Sequence, residues 1–322
     1  MHATPKITVV TPCLNEAESL PGFLRDLREN LDDLEFAYEV VVVDDGSSDS
    51  SWEVIAATEW PQLRAVRLLA NRGHQVALDA GLRAAKGDFV VTMDSDGQHP
   101  PAVIRALLTE AMAKNVDVVY AVRSDRSDDG WAKRQTAIAY YRLMRGLTGV
   151  PLKDSAADFR IMSRFVVDVL NTVPEQKVFR LLLPYLGFTS SSVDYQARQR
   201  IHGASKYSLR RMVALATRSS IQFSTKPLRM VTATGFIMAV LAVLWLGWVL
   251  VDFAYGRTVA GWASQMAVTL IVGGLTLFSL GILGEYVGEI FERVSGRPSF
   301  LVRETLDGSA RDRTLHGEVN ER

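Results

Sequence analysis

Apolar residues follow two contrasting patterns along the chain. Between residues 7 and 120, short valine-rich runs alternate with segments whose apolar positions recur at helical spacing. The runs 7–11, 38–43, 63–69, 89–93 and 116–120 are nearly continuous in apolar character, as strands covered on both faces are. The segments between them, 17–31, 50–58, 75–85 and 101–114, read as helices. Regular alternation of strand and helix implies an α/β domain, Rossmann-like, with a mostly parallel sheet and right-handed crossovers. Such sheets bind ligands beyond the carboxyl ends of their strands, near a topological switch point.

The second pattern is uninterrupted. Residues 231–251 and 262–284 carry no charge, and as helices rising about 1.5 Å per residue each spans a bilayer core of about 30 Å. A pair of buried helices in a large soluble core is the competing reading, but such helices seldom run this long without a charge. The linker 252–261 is the length of a hairpin between two antiparallel spans. Lys226 and Arg229 precede the first span, Arg293, Arg297 and Arg303 follow the second, and the linker holds only Arg257. By the positive-inside rule both termini are expected in the cytoplasm, in a multi-pass protein of the inner (plasma) membrane. Just upstream, Leu209, Met212, Val213, Ala216 and Phe223 fall on helical spacing with Arg210, Arg211 and Arg218 on other faces. That suits an interfacial amphipathic helix on anionic headgroups, or a helix packed on the soluble domain. The expected division is a catalytic domain at 1–205, an interfacial region at 206–229, a two-helix transmembrane hairpin at 230–285 and a cytoplasmic tail at 286–322.

Composition narrows the chemistry. In 322 residues Lys+Arg and Asp+Glu are both 36, so no excess of positive charge points to nucleic acid. The single cysteine, Cys13, excludes an internal disulfide and a cysteine-rich metal site, and suits a cytosol-facing domain. No basic, apolar leader precedes the first strand, so the first domain is expected to stay where it is made.

Polar residues gather where three of the strands end. The first runs into Pro12-Cys13-Leu14-Asn15-Glu16, the second into Asp44-Asp45-Gly46-Ser47-Ser48-Asp49, and the fourth, in the stretch VVTMDSDGQHPP, into Asp94-Ser95-Asp96-Gly97-Gln98. Ser47, Ser48 and Asp49 suit the cap of the next helix, but capping does not account for six acids over three strand ends. Neither a G-x-x-x-x-G-K-[ST] loop nor a G-x-G-x-x-G turn is present. Two carboxylates at i and i+2 after a buried strand repel each other unless a cation joins them, and Gly97 permits the bend. Hard oxygen ligands suit Mg²⁺ or Mn²⁺, and those ions suit a diphosphate.

Together P-x-x-N-E (12–16), V-D-D-G-S-S-D (43–49), N-R-G-H-Q (71–75) and D-S-D-G-Q-H-P-P (94–101) resemble family 2 glycosyltransferases of GT-A fold. R-I-H-G-A-S-K-Y (200–207), followed by two membrane spans, is similar to the polyprenyl-phosphate glycosyltransferases: bactoprenol glucosyltransferases, undecaprenyl-phosphate aminoarabinose transferases and dolichol-phosphate mannose synthases. The resemblance extends from about residue 7 to about residue 303. It implies a nucleotide-diphosphate sugar donor and a membrane polyprenyl phosphate acceptor. Carried over by motif, Pro12, Asn15, Glu16, Asp44 and Asp45 would hold the nucleoside, with Arg72, Ser95 and Arg123 in the same donor-binding set. Arg123 and Arg126 would reach the donor phosphates, or else lie in a solvated loop. Asp94, Asp96 and Gln98 would bind the metal. Arg200, Ser205 and Lys206 would hold the acceptor phosphate, with plain membrane-surface basic residues as the bland reading. In D-S-A-A-D-F-R (154–160), Asp158, or else Asp154, corresponds to the acceptor-side aspartate assigned as catalytic base; the glycine usual near 156–157 is absent. His74 and His99 are read as shaping their loops, since the rest of the donor set is oxygen.

The expected reaction is inverting transfer of a sugar, glucose from UDP-glucose being favoured by R-S-D-R-S-x-D-G and D-F-R-I-M-S-R. Aminoarabinose, mannose and N-acetylhexosamine remain open. A processive polysaccharide synthase should carry Q-x-x-R-W, which 196–200 does not match, and a non-catalytic scaffold would not keep two repelling aspartates. The family resemblance also suggests a homotetramer.

Overall fold

The computed structural model describes residues 5–124, 156–173, 178–198, 226–255, 261–308 and 310–314. The chain forms two compact units, one from 1–141, 150–206 and 298–322, the other from 142–149 and 207–297. The interfacial segment expected at 206–229 lies outside the described residues up to 225, as do Asp154, Arg126, Arg200, Ser205 and Lys206.

The first unit is built on one sheet. Its core strands are β1 (Ile7–Cys13), β2 (Tyr38–Asp44), β3 (Leu63–Leu68) and β4 (Phe89–Thr92). All four are parallel, with β1 in register from Ile7↔Tyr38 to Cys13↔Asp44 on one side and from Ile7↔Phe89 to Val10↔Thr92 on the other. The chain steps outward from β1 to β2 and β3, then returns across β1 to β4. The switch point therefore falls between β1 and β4, where a parallel sheet opens a crevice at its carboxyl ends.

Helices cover these strands because their apolar residues repeat on one face. In α1 (Leu20–Asp32), Leu20, Phe23, Leu24, Leu27 and Leu31 are buried at i, i+3, i+4 spacing, and each contributes about 1.5–3 kcal/mol by leaving water. The helices α2 (Ser51–Ala57), α3 (His74–Ala84) and α4 (Val103–Lys114) complete the crossovers. α3 lies directly against the sheet: a Cβ at Gly81 would come within 2.3 Å of Val10 Cγ1.

Beyond β4 the sheet becomes mixed. β5 (Val118–Arg123) and β6 (Ala156–Ser163) are antiparallel, and β6 inserts between β5 and β4 with Thr92 opposite Arg160. Continued two residues, that register brings Asp158 opposite Asp94. Then come α5 (Arg164–Thr172), α6 (Phe179–Leu186) and the edge strand β7 (Ser190–Tyr195), parallel to β5.

At the other edge the tail returns. β8 (Val302–Asp307) pairs antiparallel with β3, with Arg64 opposite Asp307, and β9 (Ala310–Thr314) pairs with β8. Among the described residues the order is β7-β5-β6-β4-β1-β2-β3-β8-β9. No strand was expected in 286–322.

In the second unit, α7 (Lys226–Ala254) and α8 (Trp262–Val294) are apolar around their whole circumference. Their most apolar stretches, Val231–Val249 and Ile271–Phe291, have mean hydropathy 1.9 and 1.5, and none of either stretch is buried by protein. Phe236, Leu244, Trp245, Phe278 and Leu280 are all more than half exposed. Both helices are long and apolar enough to cross a membrane. The second stretch ends beyond the expected 284 because α8 continues through Glu285 and Glu289, where the uncharged run stops but the helix does not.

Candidate active site

The polar residues expected to act together end strands that the sheet holds side by side, and the loops between them are braced mainly by their own side chains. Asn15 has a left-handed backbone, φ 54°. Its N–H donates to Ser47 Oγ at 3.0 Å, and its Oδ1 accepts from the Ser48 N–H at 2.8 Å. The Glu16 N–H donates to Ser51 Oγ at 2.9 Å, and the Glu16 carboxylate accepts from the Ser19 hydroxyl. Pro12 is buried at the end of β1.

Asp44 and Asp45 are turned inward. Asp44 is fully buried, with Oδ1 accepting from the Ser47 N–H at 2.9 Å and Oδ2 3.3 Å from Arg67 Nε, whose guanidinium lies over the Trp52 ring. Asp45 accepts from the Arg72 and Gly73 N–H groups at 2.8 and 2.9 Å. Burial raises its pKa, and these two amides offset that only in part. Both acids therefore fasten the loops, Asp45 holding the 71–73 turn while leaving the Arg72 side chain exposed. Gly46, at φ +69°, makes the turn possible: a Cβ there would meet Ala70 and Asn71 main-chain atoms at 2.7 Å.

The D-S-D turn divides its work. Ser95 is buried and donates from Oγ to the Pro12 carbonyl at 2.9 Å. Asp96 Oδ1 accepts from the Gln98 N–H at 3.0 Å, and the Gln98 carbonyl accepts from the Arg198 N–H at 3.1 Å.

Asp94 faces two histidines. His99 Nε2 lies 3.2 Å from Asp94 Oδ2, and His74 Nε2 lies 3.4 Å from Asp94 Oδ1. With Asp94 ionised, His99 donates from Nε2, which leaves Nδ1 to accept from the Tyr195 hydroxyl at 2.8 Å. Tyr195 keeps that proton: burial, with the charges of Asp94 and Asp96 and against that of Arg123, pushes its pKa up to about 12. Burial alone would raise Asp94, but the His99 hydrogen bond and the two imidazoles hold it below the usual carboxylate range. Phe159 packs edge-on to Tyr195 and 5.1 Å from the His99 ring, walling the site from below.

His74 also reaches the next strand. Its Nε2 is 3.4 Å from Asp158 Oδ2, so one imidazole stands between the carboxylates after β4 and on β6. Asp158 is buried at 6% exposure and ringed by donors: Arg160 on Oδ1, with Gln75 Nε2 at 3.2 Å and Arg180 Nη2 at 3.4 Å on Oδ2. Burial acts against its charge, yet Arg180, His74 and Arg160 overcome that and hold the carboxyl far below the usual range. The same two acids, against the cost of burial, raise His74.

The structure thus brings together Asp94, Asp96, Gln98, Ser95, Pro12, Asp158 and, through its charge on Tyr195, Arg123. His74 and His99, expected only to shape loops, contact the acids themselves. Arg180 and Tyr195 were not singled out, since neither lies in a motif. What marks them is the sheet register, which a linear reading lacks.

The turn fits a divalent cation on one specific point. Asp94 Oδ1 is buried without a hydrogen-bond partner, its nearest counter-group being the His74 ring at 3.4 Å, and a buried carboxylate oxygen with an unfilled lone pair suits a cation. Among the described residues no group of three or more His, Cys, Asp and Glu side chains is gathered to hold a metal unaided. A cation here would rely on ligand oxygens and water for most of its shell, as Mg²⁺ or Mn²⁺ on a diphosphate does.

Comparison with known proteins places this geometry. Residues 8–170 match the model of Glycosyl transferase family 2, and residues 226–290 match that of the GtrB C-terminal hairpin. The chain is 35% identical over 308 residues to the SfII prophage-derived bactoprenol glucosyl transferase of Shigella flexneri, covering 94% of this chain and 99% of that one. It is 34% identical over 302 residues to a prophage bactoprenol glucosyl transferase homolog of Escherichia coli K12, covering 92% and 98%. An uncharacterized glycosyltransferase of Bacillus subtilis, YkoT, is 37% identical over 313 residues, covering 94% and 92%. In fold, the first unit resembles glucosyl-3-phosphoglycerate synthase from Mycobacterium tuberculosis in complex with phosphoglyceric acid, at TM-score 0.51 and 20% identity over 68% of this chain and 80% of that one.

Proposed function

From the premise that the chain belongs to glycosyl transferase family 2, we propose that it transfers glucose from UDP-glucose to undecaprenyl phosphate on the cytoplasmic face of the inner membrane. One observation carries this reading: a single chain joins an acid-rich GT-A sheet edge to a hairpin of helices uncovered by protein. Relatives over nearly its full length that are named bactoprenol glucosyl transferases support the lipid phosphate as acceptor and glucose as the sugar. The pairing of β3 with β8 supports a hairpin with both ends on one side, because the strands flanking it belong to one sheet.

The reaction is a single displacement with inversion. An acceptor phosphate oxygen forms a bond to the anomeric carbon as the bond from that carbon to the donor diphosphate breaks, its electron pair leaving with the nucleoside diphosphate. A phosphate monoester has a second pKa of about 6, so at neutral pH the nucleophile is already ionised and needs no strong base. Asp158, ringed by donors that hold its carboxyl below the usual range, orients the groups around it. Asp94 and Asp96 would hold a Mg²⁺ or Mn²⁺ ion, which when bound neutralises charge on the leaving diphosphate. The loops braced by Asn15, Asp44 and Asp45 shape the nucleoside side, and Arg123 lies toward the phosphates.

The test is transfer by the purified full chain from a panel of nucleotide sugars to undecaprenyl phosphate. UDP-glucose should give the highest kcat/KM, and activity only with another sugar would overturn the donor. Sedimentation of the same preparation tests the homotetramer.

A further inference from the structure

Two nitrogen-bearing side chains, Arg180 and His74, meet Asp158 on its open side. Arg160, 2% exposed, meets the carboxylate from inside the sheet, so the buried charge already has its counter-ion. Arg180 and His74 approach from the other side with 49% and 40% of their side chains exposed. The arrangement is built: Gln75, beside His74 on α3, donates from Nε2 to Asp158 and accepts at Oε1 from the Phe179 N–H at 3.2 Å. One side chain thus pins the first turn of α6, which carries Arg180, to the same carboxylate that holds His74.

We propose that Arg180 and His74, aligned by Asp158 and Gln75, receive the phosphate group of the acceptor. The inference rests on the reading of a phosphate acceptor given above and assigns residues to it. Inversion requires the nucleophile to approach the sugar from the face opposite the leaving diphosphate. The D-S-D turn lies at one end of the contact series Asp96 turn, Asp94, His74, Asp158, Arg180, and Arg180 lies at the other. A guanidinium offers a planar fork matched to phosphate oxygens, and the imidazole ring beside it adds a second polar contact. Asp158 and Gln75 are positioning residues that fix where this pair stands.

The experiment uses the full chain in detergent, with a short prenyl phosphate as varied acceptor and a saturating nucleotide sugar that wild type accepts. R180Q should raise KM for the prenyl phosphate by about 10- to 100-fold, the loss expected for a charge-assisted contact, and leave the Kd for UDP within about twofold of wild type. R180K, which keeps charge but not the fork, should fall between. Q75L should move the acceptor KM in the same direction with UDP binding unchanged, a split that general loosening of the fold would not give. An unmoved acceptor KM in R180Q, or weakened UDP binding with the acceptor KM unchanged, overturns the assignment while wild-type transfer leaves the acceptor reading standing. Wild type that transfers to no prenyl phosphate sinks the acceptor reading and this inference together.

Discussion

The hydroxyl of Ser95 donates to the main-chain oxygen of Pro12 at 2.9 Å, fastening the turn after β4 to the last residues of β1. The serine between the two aspartates works inward, and its bond spans the switch point of the sheet. It sets where Asp94 and Asp96 can stand relative to the loops that follow β1 and β2.

Ser95→Ala removes this donor from the Pro12 carbonyl. The expected cost is about 1–3 kcal/mol of stability, with a lower kcat. Thermal unfolding and initial rates measure the two effects, and a variant with both unchanged would show that the turn is held otherwise.

Asp96→Asn should lower kcat by about 100-fold or more and abolish the dependence of UDP binding on Mg²⁺ or Mn²⁺. Calorimetry with and without EDTA reads this directly. Metal-dependent binding that survives the substitution would place the cation elsewhere.

The acid limb of activity should report the acceptor. Asp158 is held ionised far below the usual range, so its charge is fully present above the ordinary aspartate value near pH 3.8 and is lost only in strong acid. A profile of kcat/KM for the prenyl phosphate should therefore bend at about pH 6, at the second ionisation of a phosphate monoester. A bend near pH 4 in its place would return Asp158 to the role of base.

Stability has its own acid limb, away from the site. Glu39 is buried and accepts from Lys6 Nζ, Thr8 Oγ1 and the Lys86 N–H, each at 2.7 Å. Burial would raise its pKa, but these three donors win and lower it. Its stabilisation is thus complete above the ordinary value of 4.5 and is lost as pH falls through the lower folded one. Glu39→Gln should cost about 2 kcal/mol at neutral pH and flatten that acid-side loss, as thermal melts at stepped pH would show.

Truncation after residue 297 strips β8 from β3 and leaves the Leu69 N–H without the Leu301 carbonyl at 2.8 Å. The truncated chain should aggregate and be cut early by protease near β3. Full activity and unchanged protease resistance would make the tail dispensable.

Much of this was readable along the chain, and the parts that were not share a cause. β1, β2 and β4 announce themselves because parallel strands covered on both faces need continuous apolar runs, and β3 shows through Arg64 and Arg67 because its other four positions are apolar and buried. β6 conceals itself: Asp158 and Arg160 interrupt its apolar run, although in the fold both are buried and paired with each other. β7, with Ser190, Ser191 and Ser192 on a sheet edge, and β8, alternating on the opposite side, lack the burial that makes a strand visible. At the candidate site, D-S-D-G-Q stood out along the chain because it carries its own chemistry. His74, Asp158 and Arg180 come from α3, β6 and α6, and it is the packing of these separate elements around β6 that makes them neighbours.

The strand that covers β3 is synthesised after both apolar helices. When the ribosome has made β1 to β7, the outer edge of β3 still offers unpaired amides and carbonyls, and the segment that will cover it lies beyond α7 and α8. Closure of the sheet must therefore wait for the apolar hairpin to emerge. Until that segment arrives the edge stays open and adhesive, so the two apolar helices also set when the sheet can be finished.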